Sequence, residues 1–491
     1  MKSKFSKVLS ILLSVVLVIS SFYLLYQVIR LNVLPSKFLF PLTIGVVVLD
    51  AIFILLLVYF SKNVVSKIVC IVLTLFICVA SCMGGYYISK TQNVLSSITN
   101  VAKHAKNTVS VIVKESSSIK NKSQLNGVSV GSLRLNEQGS KKTLKELSGE
   151  GIVLNQKEYD SMTALLEAFY NGEVDSIIIN ESSRSQILDM EDYSNFDSNT
   201  RVVYQTSYKV KNNDSATSVS DITSKPFNVL ISGSDTRGGF DENGRSDVIM
   251  IATVNPKTHT ILLTSVPRDF YVTTACDAGD GCMQGALDKI THTGIHGTNT
   301  TKRTVEQLLG IEINYTFKVG FDTVTELVDV LGGVDVYVEP GYATTTSEFS
   351  VHEGVNHLNA QQALAFARER YSYTEGDRQR TKNQQQVLMG IVKEATKPSV
   401  ITNYAAIMDT MANTFSTTMS NAEITDLIKY QLNNNPTWKM EQYMVDGKGD
   451  TLMCAELGDA ASVMVPDQST VKMAKDKINA VLAGKSSEDV K

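Results

Sequence analysis

Three long apolar runs, almost free of charge, open the chain: between Lys7 and Arg30, between Lys37 and Lys62, and between Lys67 and Lys90. As a helix, each is long enough to cross about 30 Å of hydrocarbon, so the pattern predicts three transmembrane helices within residues 1–89. A cleaved signal peptide is the alternative for the first run. That run exceeds a usual apolar signal region, lacks a clear A-x-A site and is followed by two further spans. Lys2, Lys4 and Lys7 precede the first run, and Lys62 and Lys67 bracket the turn between the second and third. Arg30 and Lys37 on the first loop weaken this asymmetry without reversing it. The N-terminus is therefore expected in the cytoplasm and everything beyond about Ser89 outside. Asp50 falls near the middle of the second run, where a carboxylate is costly and raises a functional question. We favour the plainer reading, a residue that seeks a partner on a neighbouring helix.

Beyond Ser89 the pattern changes to short apolar pulses. Asn126–Leu133 reads as a strand entering a turn, Asp160–Tyr170 as an amphipathic helix ended by Asn171-Gly172, and Val174–Asn180 as a buried strand. This order predicts a small α/β accessory domain over 90–221, with Lys211–Asp221 a polar, flexible linker. A second domain is expected over 222–491. Its signals are a strand at Phe227–Ser232, a hairpin from Asp247–Thr253 and Thr260–Ser265 around Asn255-Pro256-Lys257, and helices at Thr301–Leu309 and Asp322–Leu331. The strand Val334–Val338 follows Gly332-Gly333. Asn359 is placed to cap a helix over Ala360–Tyr371, a second helix starts near Asp377, and a helix over Val471–Leu482 completes the domain. Strands mixed with helices in this order predict an α-β-α sandwich around a mixed sheet.

Composition narrows the function. The 491 residues carry a formal net charge of only -4, so the global basic excess that binds nucleic acid through counterion release is missing. The six cysteines divide by position. Cys70, Cys78 and Cys82 lie in the third run and Cys454 stands alone. Cys276 and Cys282 flank a short glycine-rich loop, where an outward-facing compartment permits a disulfide; the alternative is two free thiols.

Arg245, Arg268, Arg368, Arg370 and Arg380 fall at the ends of predicted strands and helices. Guanidinium forks bind phosphate oxygens two at a time, which suits a pyrophosphate, whereas ordinary surface ion pairing is the bland alternative. Asp377, Arg380 and Gln384 share one polar helix face. Asp235 and Asp247 can reach the same end of the sheet, and one or two carboxylates plus phosphate oxygens make a typical Mg²⁺ site. Asp241-Glu242-Asn243-Gly244 resembles part of a calcium loop but lacks its closing glutamate.

These residues resemble the LytR-CpsA-Psr family, most closely its capsule-operon members. The likeness spans roughly Phe227 to Leu388 and rests on Gly233-Ser234-Asp235, Arg245-Ser246-Asp247-Val248, Val254-Asn255-Pro256-Lys257-Thr258, Pro267-Arg268-Asp269, Leu331–Val336, Arg368-Glu369-Arg370 and Gly376–Arg380. Asn383 departs from the pattern, because many members have an arginine there, and Gln384 is the residue that could cover the lost contact. The resemblance implies a membrane-bound transferase that moves capsular polysaccharide from a polyprenyl-pyrophosphate lipid to peptidoglycan. It implies a lipid tail between sheet and helices, pyrophosphate held by Arg245, Arg268, Arg368, Arg370, Arg380 and Gln384, and Mg²⁺ or Mn²⁺ on Asp235 and Asp247. The implied catalytic set is Asp247, Arg268, Arg370, Arg380 and Asp377, with either Asp247 or Asp377 taking the acceptor proton. Other capsule-assembly membrane proteins are further implied partners. The competing readings are a membrane regulator of capsule transcription and a lipid-pyrophosphate binding module without transfer. The cytoplasmic part is too small for a helix-turn-helix, so no direct nucleic-acid contact is expected.

Overall fold

A computed structural model describes every residue except 1, 61–62, 102–103, 135–136, 212–213, 235–241, 278–280, 398–405, 408–409 and 411–414. The chain forms two compact units, one of 1–97 with 395–412 and 420–437, the other of 98–394, 413–419 and 438–491. The segments 395–412 and 420–437 thus group with the apolar helices, although the sequence pattern assigns them to the last domain.

In the first unit, α1 (Lys2–Leu31), α2 (Ser36–Leu55) and α3 (Val64–Val101) follow the three apolar runs, and a π-helical turn extends α2 through Phe60. Each of the three helices is long and apolar enough to cross a membrane. Asp50 accepts a hydrogen bond of 2.9 Å from the Ser21 hydroxyl on α1, so its partner is interhelical. α3 runs on past Ser89 because Lys90–Thr99 contains no helix-breaking residue.

The second unit begins with a five-stranded sheet of β1 (His104–Lys114), β2 (Ser129–Leu133), β3 (Asn155–Tyr159), β4 (Ser176–Asn180) and β5 (Thr200–Lys211), in the order β3-β2-β4-β1-β5. β2 is parallel to β3 and β4, while β1 is antiparallel to β4 and β5. Helices α4 (Glu137–Gly149), α5 (Met162–Asn171), α6 (Arg184–Asp189) and α7 (Phe196–Asn199) accompany it. The Ser161 hydroxyl accepts from the Ala164 amide at the start of α5, and Gly172 takes a left-handed conformation at its end. Leu165, Leu166 and Phe169 on α5 pack with Ile112, Ile177 and Ile179 in one fully buried core.

The large sheet contains β6 (Phe227–Ser234), β7 (Val248–Asn255) and β8 (Thr260–Val266) as an antiparallel meander. A short pair, β9 (Tyr271–Thr273) and β10 (Leu287–Lys289), follows, and a disulfide joins Cys276 to Cys282 between them with α-carbons 6.4 Å apart. Next come α8 (Thr298–Leu309), β11 (Tyr315–Gly320), α9 (Phe321–Leu331), β12 (Val334–Val338), the two-residue strands β13 (Thr344–Thr345) and β14 (Ser350–Val351), and β15 (Gly354–Leu358). The chain continues through α10 (Ala360–Arg368), α11 (Asp377–Ala395), β16 (Phe415–Thr417), α12 (Asn421–Asn434), β17 (Lys439–Met444), the hairpin β18 (Gly447–Cys454) and β19 (Asp459–Pro466), and α13 (Gln468–Leu482). The sheet order is β16-β11-β6-β7-β8-β17, mixed as expected, with β6–β11 and β8–β17 parallel.

One sheet face buries Leu230, Ile249, Ile251 and Leu262 under Val305 and Leu309 of α8 and Ala474, Ile478 and Val481 of α13. On the other face, α11 is fastened by Gln385, whose buried amide donates to the Leu263 carbonyl, the Ser265 hydroxyl and the Tyr443 carbonyl. α9, α10 and α11 share a separate apolar core with β12 and β15. Helices on both faces make the α-β-α sandwich.

The linker differs from expectation. Among its described residues, the Thr217 amide donates to the Asn314 carbonyl, the Val219 amide to the Tyr315 hydroxyl, and Lys302 to the Ser215 carbonyl. Polar composition had suggested flexibility, but these groups satisfy the backbone next to β11. Burial raises the Asp214 carboxyl from 3.8 to about 6, against a hydrogen bond from Thr316 and the nearby Lys302 charge. Below 3.8 both folded and unfolded chains hold this proton, whereas between 3.8 and about 6 only the folded chain does, so stability falls as pH rises through that window. Asp214→Asn is therefore expected to stabilise the protein by about 1–2 kcal/mol at pH 8, discounted for a half-buried side chain, and by nothing near pH 3. Thermal unfolding of the detergent-solubilised chain at the two pH values measures the difference.

Candidate functional site

The site is built where β7 begins, β8 ends and α11 starts. Gly233, near the end of β6, sits so close to β7 that an added Cβ would lie 2.8 Å from the Val248 Cβ, and the Asp247 amide donates to the Gly233 carbonyl. This close approach fixes Asp247 at the mouth of the sheet. The preceding Ser246 is buried. Its hydroxyl meets those of Ser232 at 2.9 Å and Thr301 at 3.0 Å, and its amide donates to the Thr291 carbonyl. The Thr291 amide in turn donates to the Arg268 carbonyl, so one backbone turn holds both the Asp247 and Arg268 segments. Gly294 permits that turn, because a Cβ there would lie 2.5 Å from the Gly244 carbonyl oxygen.

Asp247, Ser265, Arg268, Asp377, Arg380, Thr381 and Gln384 line one cleft of about 260 Å³. Arg268 Nη1 donates to Asp247 Oδ1 at 2.8 Å, and Arg268 Nε lies 3.8 Å from Asp269. Arg268 Nε is buried and makes no hydrogen bond among the described residues. It is a donor in want of an acceptor. Across the cleft, Arg380 pairs with Asp377 one helical turn earlier on α11. Burial is the largest influence on the Arg380 guanidinium and lowers its pKa. Asp377 opposes this, while the Arg268 and Arg370 charges add to the lowering. For Arg268, burial is again the largest single influence, but Asp247, Asp269 and Asp189 outweigh it and raise the pKa. Two positive groups held near each other in a half-buried cleft make a site that a multivalent anion relieves.

The other expected residues fall as follows. Arg370 follows the end of α10, close enough to Arg380 to repel it, and donates to the Tyr371 hydroxyl at 2.6 Å. Tyr371 is 85% exposed, so this arrangement stands in solvent. α10 stops at Arg368, three residues before the expected end, because Glu369 is extended; Arg368 is exposed. Gln384 lines the cleft. Asn383, its neighbour, faces away, donating to the Phe366 carbonyl at 3.0 Å and accepting from Gln379. Position 383 in this chain is a helix-packing position. Arg245 pairs with Asp189 of the accessory domain and is not among the cleft-lining residues. Asp235 lies outside the described residues.

The residues also bear on a metal. Among the described residues, no group of three or more His, Cys, Asp or Glu side chains could hold an ion. Asp247 contributes one carboxylate with Oδ1 turned to Arg268. A single carboxylate beside a cleft lined by two arginines is a donor set compatible with Mg²⁺, which commonly takes one or two carboxylates and completes its shell with phosphate and water oxygens.

Sequence reading missed a second polar cleft. Asp288, His292, Thr293, His296, Thr300 and Glu456 line about 290 Å³. Buried Asp288 contacts His292 Nδ1 at 2.7 Å and accepts from the Glu456 amide at 2.7 Å, and His296 meets Glu456 at 3.0 Å. The spacing of Asp288 and His292 was the available signal. Cys454 is close by, and burial pushes its thiol up to about 12, so it remains protonated.

Comparison with known proteins adds the family context. The model of the LytR_cpsA_psr family matches residues 193–480. A Bacillus cereus protein named polyisoprenyl-teichoic acid–peptidoglycan teichoic acid transferase TagU is 32% identical over 240 residues, 48% of this chain and 75% of the relative. The Bacillus subtilis protein of that name is 35% identical over 196 residues, 40% of this chain and 60% of its own. Among solved structures, B. subtilis TagU matches with 28% identity and a TM-score of 0.41, covering 52% of this chain and 97% of the other. A Streptococcus agalactiae protein gives 25% identity and a TM-score of 0.45, covering 53% and 89%.

Proposed function

We propose a function from one premise: the chain belongs to the LytR_cpsA_psr family. It is a membrane-anchored transferase that moves a glycopolymer from a polyisoprenyl-pyrophosphate carrier to peptidoglycan, outside the cell membrane, with capsular polysaccharide as the polymer. The observation that carries this reading is the convergence of Arg268, Arg380, Asp247, Asp377 and Gln384 on one cleft in a chain with three helices long and apolar enough to cross a membrane. The names of the relatives, which act on a polyisoprenyl-linked teichoic acid, support the reaction class.

Arg268, Arg380 and the nearby Arg370 bind the pyrophosphate and neutralise the charge that grows on the leaving phosphate, the main source of rate in transfers of this kind. Arg268 Nε offers a ready donor. Gln384 adds a neutral hydrogen bond on the α11 side. Asp247, with Asp235 of the Gly233-Ser234-Asp235 motif, would hold Mg²⁺ or Mn²⁺, which when bound supplies further charge neutralisation. The acceptor hydroxyl loses its proton to Asp247 or Asp377, both at the cleft wall. The lipid tail lies along the sheet face that carries the half-buried Ile231, Val248, Phe317 and Val319.

Gentle purification of the full chain, organic extraction and mass analysis test the ligand. Polyprenyl phosphate or pyrophosphate should be recovered with the wild-type chain and fall about tenfold or more in Arg380→Ala, in line with the loss of one charged phosphate contact. Recovery of no such lipid from the wild type contradicts the proposal.

A further inference from the structure

The segment that joins the apolar helices in the first unit has no role in the cleft chemistry. α12 carries Ile424, Leu427, Ile428 and Leu432 along one side and Ala422, Asp426 and Asn433 along the exposed opposite side. That is the pattern of an amphipathic helix. Its C-terminal half is tied to the turn between α1 and α2. Lys429 Nζ donates to Asn32 Oδ1 at 2.7 Å, and Lys37 Nζ donates to the Asn433 carbonyl at 2.6 Å. Asn32 immediately follows the first apolar span and Lys37 lies at the start of the second, so both sit at the ends of the apolar stretches. The N-terminal end of α12 is tied elsewhere, by Asn421 Nδ2 to the Ser96 hydroxyl at 3.5 Å. Ser96 lies near the end of the third apolar span, Val64–Thr99, nine residues past Tyr87, an aromatic of the kind that marks a membrane boundary. At 1.5 Å per residue, Ser96 is about 13 Å farther along the helix axis.

We propose that α12 slopes onto the outer membrane surface, its C-terminal half resting in the lipid interface through Leu427, Ile428 and Leu432 and its N-terminal end standing clear in water. The occupant of this apolar stripe is the lipid surface itself. The contacts with Asn32 and Lys37 set the depth, and the contact with Ser96 sets the slope. With one acidic-side excess among Glu423, Asp426 and Lys429, the helix has no basic cluster for anionic headgroups. Insertion is therefore apolar and little affected by salt. The inference rests on the membrane-anchored part of the proposed function and is independent of the transfer chemistry.

The chain has a single tryptophan, Trp438. In a Trp438→Phe background, Leu432→Trp, Ala422→Trp and the span control Phe22→Trp are placed one at a time in the full chain, in nanodiscs with lipids brominated near the upper acyl chain. Quenching of the tryptophan at 432 should exceed that at 422 at least threefold and change little between 0.05 and 0.5 M salt. Equal quenching at 422 and 432, or none at 432, with Phe22→Trp still quenched, overturns the inference and leaves membrane anchoring intact. Loss of quenching at position 22 as well would overturn the anchoring itself. If Trp438→Phe does not fold, the same insertions are read as differences with Trp438 retained.

Discussion

Arg268→Ala is expected to lower polymer transfer by about 10²- to 10³-fold, the usual loss when one preorganised donor to a developing anion is removed. Three features concentrate the effect on this residue. Its guanidinium is held by Asp247 at 2.8 Å, its Nε is buried without a hydrogen bond among the described residues, and it faces Arg380 across the cleft. The first fixes its orientation before substrate arrives, and the second leaves a donor for a phosphate oxygen. The third means that part of the electrostatic cost of gathering positive charge is released only when an anion binds. Arg268→Lys should recover less than a tenth of the lost rate, because an ammonium keeps the charge but cannot present two parallel donors. Initial rates of polymer transfer by the purified variants check both. Unchanged transfer in Arg268→Ala would remove this cleft as the reaction site.

Asp247→Asn is the second large effect, a loss of about 10²-fold or more in transfer with lipid still recovered on extraction. Asparagine preserves the size of the side chain and one oxygen for Arg268, so the backbone contact to the Gly233 carbonyl and the shape of the cleft should survive. What disappears is the negative charge. If Asp247 acts chiefly through a metal, raising Mg²⁺ or Mn²⁺ should restore part of the activity, whereas loss of a proton acceptor is indifferent to metal concentration. Asp377→Asn supplies the comparison, since Asp377 pairs with Arg380 from the first turn of α11 and is more exposed, at 31% against 10% for Asp247. A larger loss in Asp377→Asn, insensitive to metal, would assign the acceptor proton to Asp377.

Much of this organisation is legible in local sequence because local chemistry determines it. Gly172 ends α5, Asn359 forms a capping box with Gln362, and Asn255-Pro256-Lys257 turns β7 into β8. The spacing of Asp377, Arg380 and Gln384 likewise places them on one face of α11, which the cleft uses. Features set by distant partners were not legible. Arg245 reads as a phosphate ligand, yet its partner Asp189 belongs to another domain, and nothing near Arg245 announces that contact. Residues 214–219 read as flexible because they are polar, but their backbone groups are taken up by Asn314 and Tyr315. The contacts of α12 with Asn32 and Lys37 join residues about four hundred positions apart. The sign of a charge is local information; the identity of its partner is not.

The decisive measurement is to incubate the full chain with a polyprenyl-pyrophosphate-linked glycopolymer and peptidoglycan, then quantify polymer covalently attached to the peptidoglycan together with the lipid released. Attached polymer and released polyprenyl phosphate or pyrophosphate should appear in equal amounts, both nearly abolished in Arg268→Ala. An intact wild-type chain that binds the lipid yet attaches no polymer under these conditions would contradict the proposed function.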